Sequence, residues 1–258
     1  MKSWPDLRSR IEGPEGYAIV PLALNEDEIS TIREFIRRQY LARITVIAPD
    51  IVDKFASRGV ERYHEIAHFL DHSAAWPKKE RLFSAAAVAF LKSTEFFSLL
   101  RLQYGDLELS DEEHIGRWVV YWRIVRPFAP SDVGPMHADK WFWDLGYNNY
   151  ALPDGFEDRV KVWLPVHVET LSSLGIVPGS HLKDGWKWHG EMRHGVLKPA
   201  FDEPPGGVNP ISLEAKPGDA VVFHDRLLHG GALNRGKNTR VSFEFTVMFK
   251  SAERRLDA

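Results

Sequence analysis

The sequence predicts an α+β protein that is mainly β, in which a mostly helical first part (residues 1–115) supports a strand-rich second part (residues 116–250). Apolar residues recur at spacings of three and four in the first part, as on the buried face of a helix. β-Branched and aromatic residues crowd short segments of the second part, which is typical of strands. The 258 residues, 44% of them hydrophobic, can form a full core. Composition allows one domain or two, but we find no convincing linker and expect a single domain over residues 1–258.

The first part begins with a short edge strand over residues 16–21. Asn25 and Glu28 have the spacing of a capping box, and apolar residues at helical spacing follow. This pattern predicts a helix over residues 26–38. The same periodicity predicts two further helices, over residues 60–70 and 78–101.

Strands dominate from residue 116 onward. The densest segment is residues 117–126, RWVVYWRIVR, which is typical of a strand buried on both faces. Further strands are predicted over residues 160–168, 175–177, 220–224 and 240–249. The loop at residues 202–210 is not a domain linker, since the strands on both sides of it fit one sheet system.

Composition excludes several classes of function. The net charge is −3 and no long run of like charges occurs, so nucleic acid is not an expected partner. The absence of cysteine excludes disulfides and thiolate metal sites, and leaves His, Asp and Glu as metal ligands. The chain starts without an apolar signal core, and its most apolar stretch is interrupted by Lys92 and Glu95. We therefore expect a cytoplasmic protein without a membrane span.

His137 and Asp139 flank a single alanine in a predicted strand. Side chains at i and i+2 of a strand point to the same face, so both can reach one metal ion. With His229 they provide two imidazoles and one carboxylate, the ligand set of non-haem ferrous sites that keep three open positions. A pattern this short also recurs by chance, and a surface pair in a loop is the alternative reading.

Arg240 follows His229 after eleven positions, and Ser242 lies two residues further on the same strand face. A guanidinium fork beside a hydroxyl suits the distal carboxylate of a dicarboxylic acid that chelates the metal. Gly230 and Gly231, directly after His229, allow another backbone to approach closely.

Three blocks of the chain resemble one known family. They are MHADKW at residues 136–141, VWLP at 162–165 with GIVPGSH at 175–181, and the segment from Gly218 to Ser242. In combination they resemble the phytanoyl-CoA dioxygenase group of the Fe(II)/2-oxoglutarate-dependent oxygenases, over nearly the whole chain. The resemblance implies a double-stranded β-helix core, a jelly roll of cupin type, flanked by helices.

The resemblance also implies roles for individual residues. His137, Asp139 and His229 would bind Fe(II), and Arg240, assisted by Ser242, would anchor 2-oxoglutarate. Trp163 would line the same pocket, although a strand tryptophan is also an ordinary core residue. Tyr121 is a further candidate for this pocket on strand alternation, since it points inward if Val119, Tyr121 and Arg123 share a face. The reaction would use O2, release succinate and CO2, and hydroxylate an unactivated C–H bond. Related halogenases have a small residue at the position of Asp139, so its carboxylate favours hydroxylation.

The substrate is suggested only by side chains near the predicted metal strand. Lys140, Trp141, Trp143 and Arg123 are the candidates, with a loop around Lys187 and Arg193 as a possible lid. This mixture suits a small polar metabolite, anionic or sugar-like, with aromatic rings against its apolar face. The alternative is that the tryptophans cover the core and the lysines are solvated.

Two other classes of function stay open. One is a non-catalytic cupin-type protein that binds a small molecule. The other is a metal-dependent hydrolase, either on the same histidines or as a zinc peptidase using His64, Glu65 and His68, which match a His-Glu-x-x-His helix. Neither class needs Arg240. His224 and His181 are interpreted as structural.

Overall fold

A computed structural model describes residues 6–112, 115–145, 155–156, 158–169, 173–193, 196–203 and 207–250. The α-helices of these residues are α1 (Leu7–Glu12), α2 (Glu26–Ile47), α3 (Val52–Arg58), α4 (His72–Ala75), α5 (Ala85–Lys92), α6 (Glu95–Tyr104) and α7 (Lys140–Asp144). Short 3-10 helices cover Pro49–Ile51, Val60–Glu65, Ala67–Phe69, Lys78–Arg81, Pro130–Asp132 and Ser180–Leu182. None of the helices in this part of the chain combines the length and apolarity needed to cross a membrane.

The strands are β1 (Tyr17–Val20), β2 (Leu107–Leu109), β3 (Tyr121–Val125), β4 (Asp158–His167), β5 (Leu174–Ile176), β6 (Trp188–Arg193), β7 (Val196–Phe201), β8 (Ile211–Ser212), β9 (Ala220–His224), β10 (His229–Gly231) and β11 (Arg240–Phe249). A six-stranded antiparallel sheet has the order β1-β9-β4-β11-β2, and β3 pairs with the first half of β11. A smaller sheet has the order β10-β5-β8, and β6 and β7 form a separate hairpin. The predicted jelly roll flanked by helices is confirmed.

The large sheet has two different faces because side chains alternate along a strand. The apolar residues of β4 and β11, such as Val162 and Phe243, pack against the helices in one continuous core. Charged and polar residues of the same strands, such as Lys161 and Glu244, are buried on the opposite face. The large core joins residues of both halves of the chain, which supports our proposal of a single domain.

The capping box of α2 forms as predicted, with Asn25 and Glu28 exchanging side-chain to backbone hydrogen bonds of 2.9 Å. The helix is longer than predicted and ends at Ile47, because Tyr40 and Ile44 continue its buried face up to the stop before Pro49. The predicted single helix over residues 78–101 is wrong. Ser84 and Thr94 each cap a new helix, so α5 and α6 are separate.

Two other boundaries differ from the prediction. Residues 60–70 form two 3-10 segments separated at Ile66, whose backbone is not helical. The strand predicted from residue 117 begins only at Tyr121, because the backbones of Val119 and Val120 bond to Ser110 and Phe83 instead. The other predicted strands lie within two residues of their observed bounds.

Candidate metal centre

His137 and His229 are brought together by backbone pairing. They form an antiparallel bridge whose two N–H to carbonyl distances are 2.9 and 2.8 Å. A Cβ atom at Gly230 would lie 3.1 Å from the Pro135 carbonyl oxygen and 3.2 Å from Met136. The glycine after His229 therefore permits the close approach that the sequence predicted.

The two imidazoles are oriented by hydrogen bonds to backbone carbonyls. His137 Nδ1 lies 2.8 Å from the Pro135 oxygen, and His229 Nδ1 lies 2.9 Å from the Leu227 oxygen. A carbonyl can only accept, so each Nδ1 carries a proton and Nε2 is the ring nitrogen left to bind a metal. Burial lowers the pKa of His229 to about 4, more than Asp139 raises it, so this ring is neutral near pH 7.

Asp139 completes the group, but not by the predicted geometry. It has α-helical backbone angles and lies directly before α7, so His137 and Asp139 do not share an extended strand. The turn into α7 brings the Asp139 carboxylate 3.7 Å from His137 Nε2 and 3.8 Å from His229 Nε2. The three ligand atoms lie within 4.8 Å of one another.

These residues fit a divalent cation. The set of two imidazoles and one carboxylate suits iron. The buried Oδ2 atom of Asp139 has no hydrogen-bond partner among the described residues. Burial alone would raise the pKa of Asp139, but the nearby Lys161 ammonium lowers it well below its usual range, so the carboxylate is ionised.

Lys161, on β4, is a charged neighbour of the metal centre that the sequence analysis did not predict. Its ammonium lies 4.0 Å from Asp139 Oδ2, 3.7 Å from Glu112 Oε2 and 3.4 Å from Thr246 Oγ1. Burial lowers the pKa of Lys161, but the attraction of Asp139 and Glu112 raises it by more than burial lowers it. The pKa of Lys161 is therefore above its ordinary value, and the amine is charged. The sequence signal for this role was a lysine between Val160 and Val162 in a strand that is otherwise apolar.

The centre lies in a cavity of about 360 Å³ between the sheets. Trp163, Tyr121 and Arg240 line this cavity together with the three candidate ligands. Arg240 is 4% exposed and donates to the carbonyl oxygens of Ser173 at 2.7 Å and Ala232 at 3.1 Å. Burial, followed by repulsion from Arg123, lowers the pKa of Arg240 to about 10, which leaves it charged at neutral pH.

Ser242 follows Arg240 on the same face of β11, as predicted. It is buried, and its Oγ atom has no hydrogen-bond partner in the described part of the chain. Ser242 itself does not line the cavity.

Arg123, which is partly exposed, and the buried Glu244 form an ion pair that faces the cavity, with Arg123 Nε 2.7 Å from Glu244 Oε1. Burial raises the pKa of Glu244, but Arg123 and Lys161 lower it to about 2. Arg123 was predicted as a substrate residue, whereas Glu244 was missed. Glu244 lies two positions after Ser242 on the same strand face, and this spacing could have indicated that Glu244 faces the cavity.

The remaining predicted substrate residues lie on α7, and only one lines the cavity. Trp143 does so, beneath the Arg159 guanidinium at 3.9 Å from the ring centroid. Lys140 instead pairs with Asp144 at 2.6 Å. Trp141 is buried outside the cavity lining, stacked on Trp188 with ring centroids 5.3 Å apart.

The segment predicted as a lid loop forms the hairpin β6–β7. Trp188 and Phe201, at its base, both stack on Trp141 of α7. The hairpin contributes Arg193, Leu197, Lys198 and Pro199 to the cavity wall. Trp141 therefore helps to hold this hairpin beside the metal centre, whereas Trp143 lines the cavity.

The Pro-Gly-Ser-His block has a structural role in the same region. Ser180 Oγ accepts a 2.8 Å hydrogen bond from the Leu228 N–H, and Val177 donates to the Leu228 carbonyl. These contacts fix the residue before His229. His181 is buried against Gly16 and His224, whose ring centroid is 5.1 Å away.

The zinc-peptidase reading is not supported by the geometry. His64 and His68 lie on different 3-10 segments, so the helical face that the pattern requires does not form. Glu65 is held by Arg62 at 2.7 Å, and His64 Nδ1 lies 3.1 Å from Thr239 Oγ1. Among the described residues, the potential metal ligands that lie close enough together to share one ion are His137, Asp139 and His229.

Comparison with solved structures identifies the same fold in proteins that bind 2-oxoglutarate. EvdO2 from Micromonospora carbonacea var. aurantiaca, complexed with 2-oxoglutarate, aligns over 96% of this chain and 94% of its own, with 19% identity and a TM-score of 0.56. The epimerase SnoN, in complex with Fe3+, α-ketoglutarate and nogalamycin RO, aligns over 95% of this chain and 82% of its own, with 15% identity and a TM-score of 0.53. At these identities the likeness establishes the fold alone.

Sequence comparison identifies the family. A search of curated proteins gives no match. The family model for phytanoyl-CoA dioxygenase (PhyH), however, matches residues 14–242, which include every candidate ligand and Arg240. The chain therefore belongs to the phytanoyl-CoA dioxygenase family, with Fe(II) as its metal cofactor and 2-oxoglutarate as its cosubstrate.

Proposed function

We propose that this protein is a dioxygenase that hydroxylates an unactivated C–H bond of a small polar metabolite, anionic or sugar-like, and releases succinate and CO2. The observation that carries the proposal is the convergence of two imidazoles and one carboxylate within 4.8 Å, in the same cavity as a buried arginine. A hydrolase or a sugar-binding cupin would have no need of that arginine.

In this proposal His137, Asp139 and His229 hold the iron through the two Nε2 atoms and a carboxylate oxygen. Three protein ligands leave three positions for the cosubstrate and O2. Iron with 2-oxoglutarate and O2 supplies an oxidant strong enough to attack an unactivated C–H bond. The backbone carbonyls of Pro135 and Leu227 fix the orientation of the two rings.

Arg240 binds the distal carboxylate of 2-oxoglutarate, with Ser242 beside it. A guanidinium at 4% exposure binds a carboxylate strongly because water competes little there. Trp163 and Tyr121 form apolar walls of the cavity that limit the positions of the cosubstrate. The two aromatic side chains also exclude water from the reacting centre.

Hydroxylation is the specific outcome that we propose within a family of varied chemistry. Structures similar to this chain include the epimerase SnoN and the carbocyclase SnoK, each at about 15% identity or below. The carboxylate of Asp139 supports oxygenation over halogenation because it occupies the position that a halide would need. Isotope transfer from 18O2 to the product distinguishes hydroxylation from epimerisation and ring closure.

The proposal includes a small-molecule substrate and a cytoplasmic location. The cavity of about 360 Å³ is of a size that suits a small metabolite. A chain without cysteine is consistent with a reducing compartment. Fractionation of cells that contain the tagged protein tests the location.

Succinate release over a panel of polar metabolites tests the activity. We expect O2-dependent and Fe(II)-dependent turnover of 2-oxoglutarate that one class of compounds stimulates above the uncoupled rate. Asp139→Ala should abolish it, whereas Asp144→Ala, an exposed carboxylate outside the cavity lining, should retain it. Full turnover by Asp139→Ala would contradict the metal assignment.

A further inference from the structure

The charge of the cavity is unbalanced. Among the described residues that line it, seven side chains are basic and four are acidic. Bound Fe(II) would add two positive charges, and 2-oxoglutarate would add two negative ones. The excess of positive charge among the lining residues therefore persists when both are bound, and an anionic group of the substrate would reduce it.

The acidic side chains are already paired. Glu112 lies 3.3 Å from Lys78 and 3.7 Å from Lys161. Glu244 pairs with Arg123, and Asp132 pairs at 2.8 Å with Arg126, which is outside the cavity lining. Asp139 is a candidate metal ligand. None of the four is left to neutralise the other basic residues.

Arg81 and Lys198 have no carboxylate partner among the described residues. Arg81 donates to two backbone carbonyls, those of Trp76 at 3.0 Å and Trp122 at 2.5 Å. The side chain of Lys198 forms no hydrogen bond or ion pair in that part of the chain, although it is partly buried in the cavity wall. A basic side chain in such a position is stabilised by an anion that is not part of the protein.

The basic residues are close enough to repel one another. Burial, and then Arg123, Lys78, Arg193 and Arg81 in that order, lower the pKa of Lys198. Each of these neighbours belongs to the same cavity. Lys198 thus lies where the potential of the cavity is strongly positive, and an anion bound there would relieve the repulsion.

The hairpin fixes Lys198 relative to the metal centre. Lys198 lies on β7, whose Phe201 stacks on Trp141, two residues after Asp139. Arg193, on the neighbouring strand β6, also faces the cavity but is held by Glu191 at 2.6 Å. An anionic group on Lys198 would therefore be held on a rigid support beside the reacting centre.

We propose that Lys198 and Arg81, with Arg193 nearby, form a subsite for an anionic group of the substrate, either a phosphate or a carboxylate. This subsite would leave the C–H bond to be oxidised near the metal. The inference rests on the proposed function and deepens it, since it selects anionic metabolites over neutral sugars. It is distinct from the cosubstrate site, which we assign to Arg240.

Anion binding to the anaerobic Fe(II)·2-oxoglutarate complex tests the subsite. Saturating 2-oxoglutarate occupies Arg240, and sodium chloride keeps the ionic strength constant. Methylphosphonate and acetate are titrated separately by calorimetry into wild type, Lys198→Gln and Lys187→Gln. Lys187 is exposed next to the hairpin and does not line the cavity, so its variant is the matched control.

We expect Lys198→Gln to weaken binding by roughly tenfold to a hundredfold, as loss of one charged hydrogen bond does, and Lys187→Gln to leave it unchanged. Binding of methylphosphonate would indicate that the subsite accepts a phosphate group of the substrate, and binding of acetate alone would indicate a carboxylate group. Absence of binding of both, or equal affinity in wild type and Lys198→Gln, overturns the subsite. The visible band of the 2-oxoglutarate complex, recorded in the same samples, reports separately on the proposed function.

Discussion

Replacement of Lys161 by methionine removes the cation that the structure places between two buried carboxylates. Its ammonium lies 4.0 Å from Asp139 and 3.7 Å from Glu112. Methionine has a similar length and no charge, so it can fill the same space. Glu112 keeps Lys78 at 3.3 Å, but Asp139 has no other lysine or arginine in ion-pair contact among the described residues.

The magnitude follows from these distances. Each attraction is about 4 kcal/mol at the effective dielectric constant of about 20 that suits protein interiors. The cost of burying the ammonium offsets part of this, so breaking such a buried pair lowers stability by about 3–5 kcal/mol. For a chain of this size the melting temperature should fall by roughly 10 °C.

Urea unfolding followed by tryptophan fluorescence measures the effect, with Lys187→Met as the exposed control. Saturating Mn(II) should stabilise Lys161→Met more than wild type, by at least about 1 kcal/mol. In the variant, the metal replaces the missing positive charge beside Asp139, and it is no longer repelled by the ammonium of Lys161. Equal stability of variant and wild type, together with an equal gain from Mn(II), would refute the assigned role of Lys161.

Three further predictions concern the cosubstrate anchor, a buried histidine and the hairpin. Arg240→Gln should raise the KM for 2-oxoglutarate by roughly a hundredfold in uncoupled turnover without loss of Mn(II) binding; an unchanged KM would contradict the anchor. Burial and Arg33 lower the pKa of His167 from 6.5 to about 4, so its contribution to stability is present above pH 6.5 and is lost as the pH falls towards 4. In urea unfolding between pH 6.5 and pH 4, His167→Gln should therefore lose up to about 3 kcal/mol less stability than wild type does. An identical pH profile of the two proteins would contradict the reasoning. Trp141→Ala should lower stability by about 3–5 kcal/mol and increase hydrogen exchange in β6 and β7, with metal binding retained; unchanged exchange would show that Trp141 does not anchor the hairpin.

Local signals were sufficient for much of the fold. The capping box of Asn25 and Glu28 determined where α2 begins, and the dense β-branched segments located β9 and β11 within a residue. Boundaries failed where tertiary contacts decided them. Leu82 bridges Tyr121 and interrupts the helix predicted over residues 78–101, which helical periodicity alone does not indicate.

The candidate site was predictable in its ligands but not in its geometry or its charges. His137, Asp139 and His229 do converge, yet they do so through a backbone bridge and a turn into α7 rather than through one strand. Lys161 and Glu244 were missed because a charged residue in a strand is ordinarily assigned to the solvent face. Here that face encloses the cavity, which depends on the packing of two sheets.

Anaerobic titration of the Fe(II)-loaded protein with 2-oxoglutarate tests the central claim most directly. Chelation of the keto acid to iron held by His137, Asp139 and His229, with Arg240 on its distal carboxylate, should produce a weak charge-transfer band in the visible. The band should saturate at one 2-oxoglutarate per chain and require far more cosubstrate in Arg240→Gln. Iron bound to the wild-type protein without any such band would contradict the account.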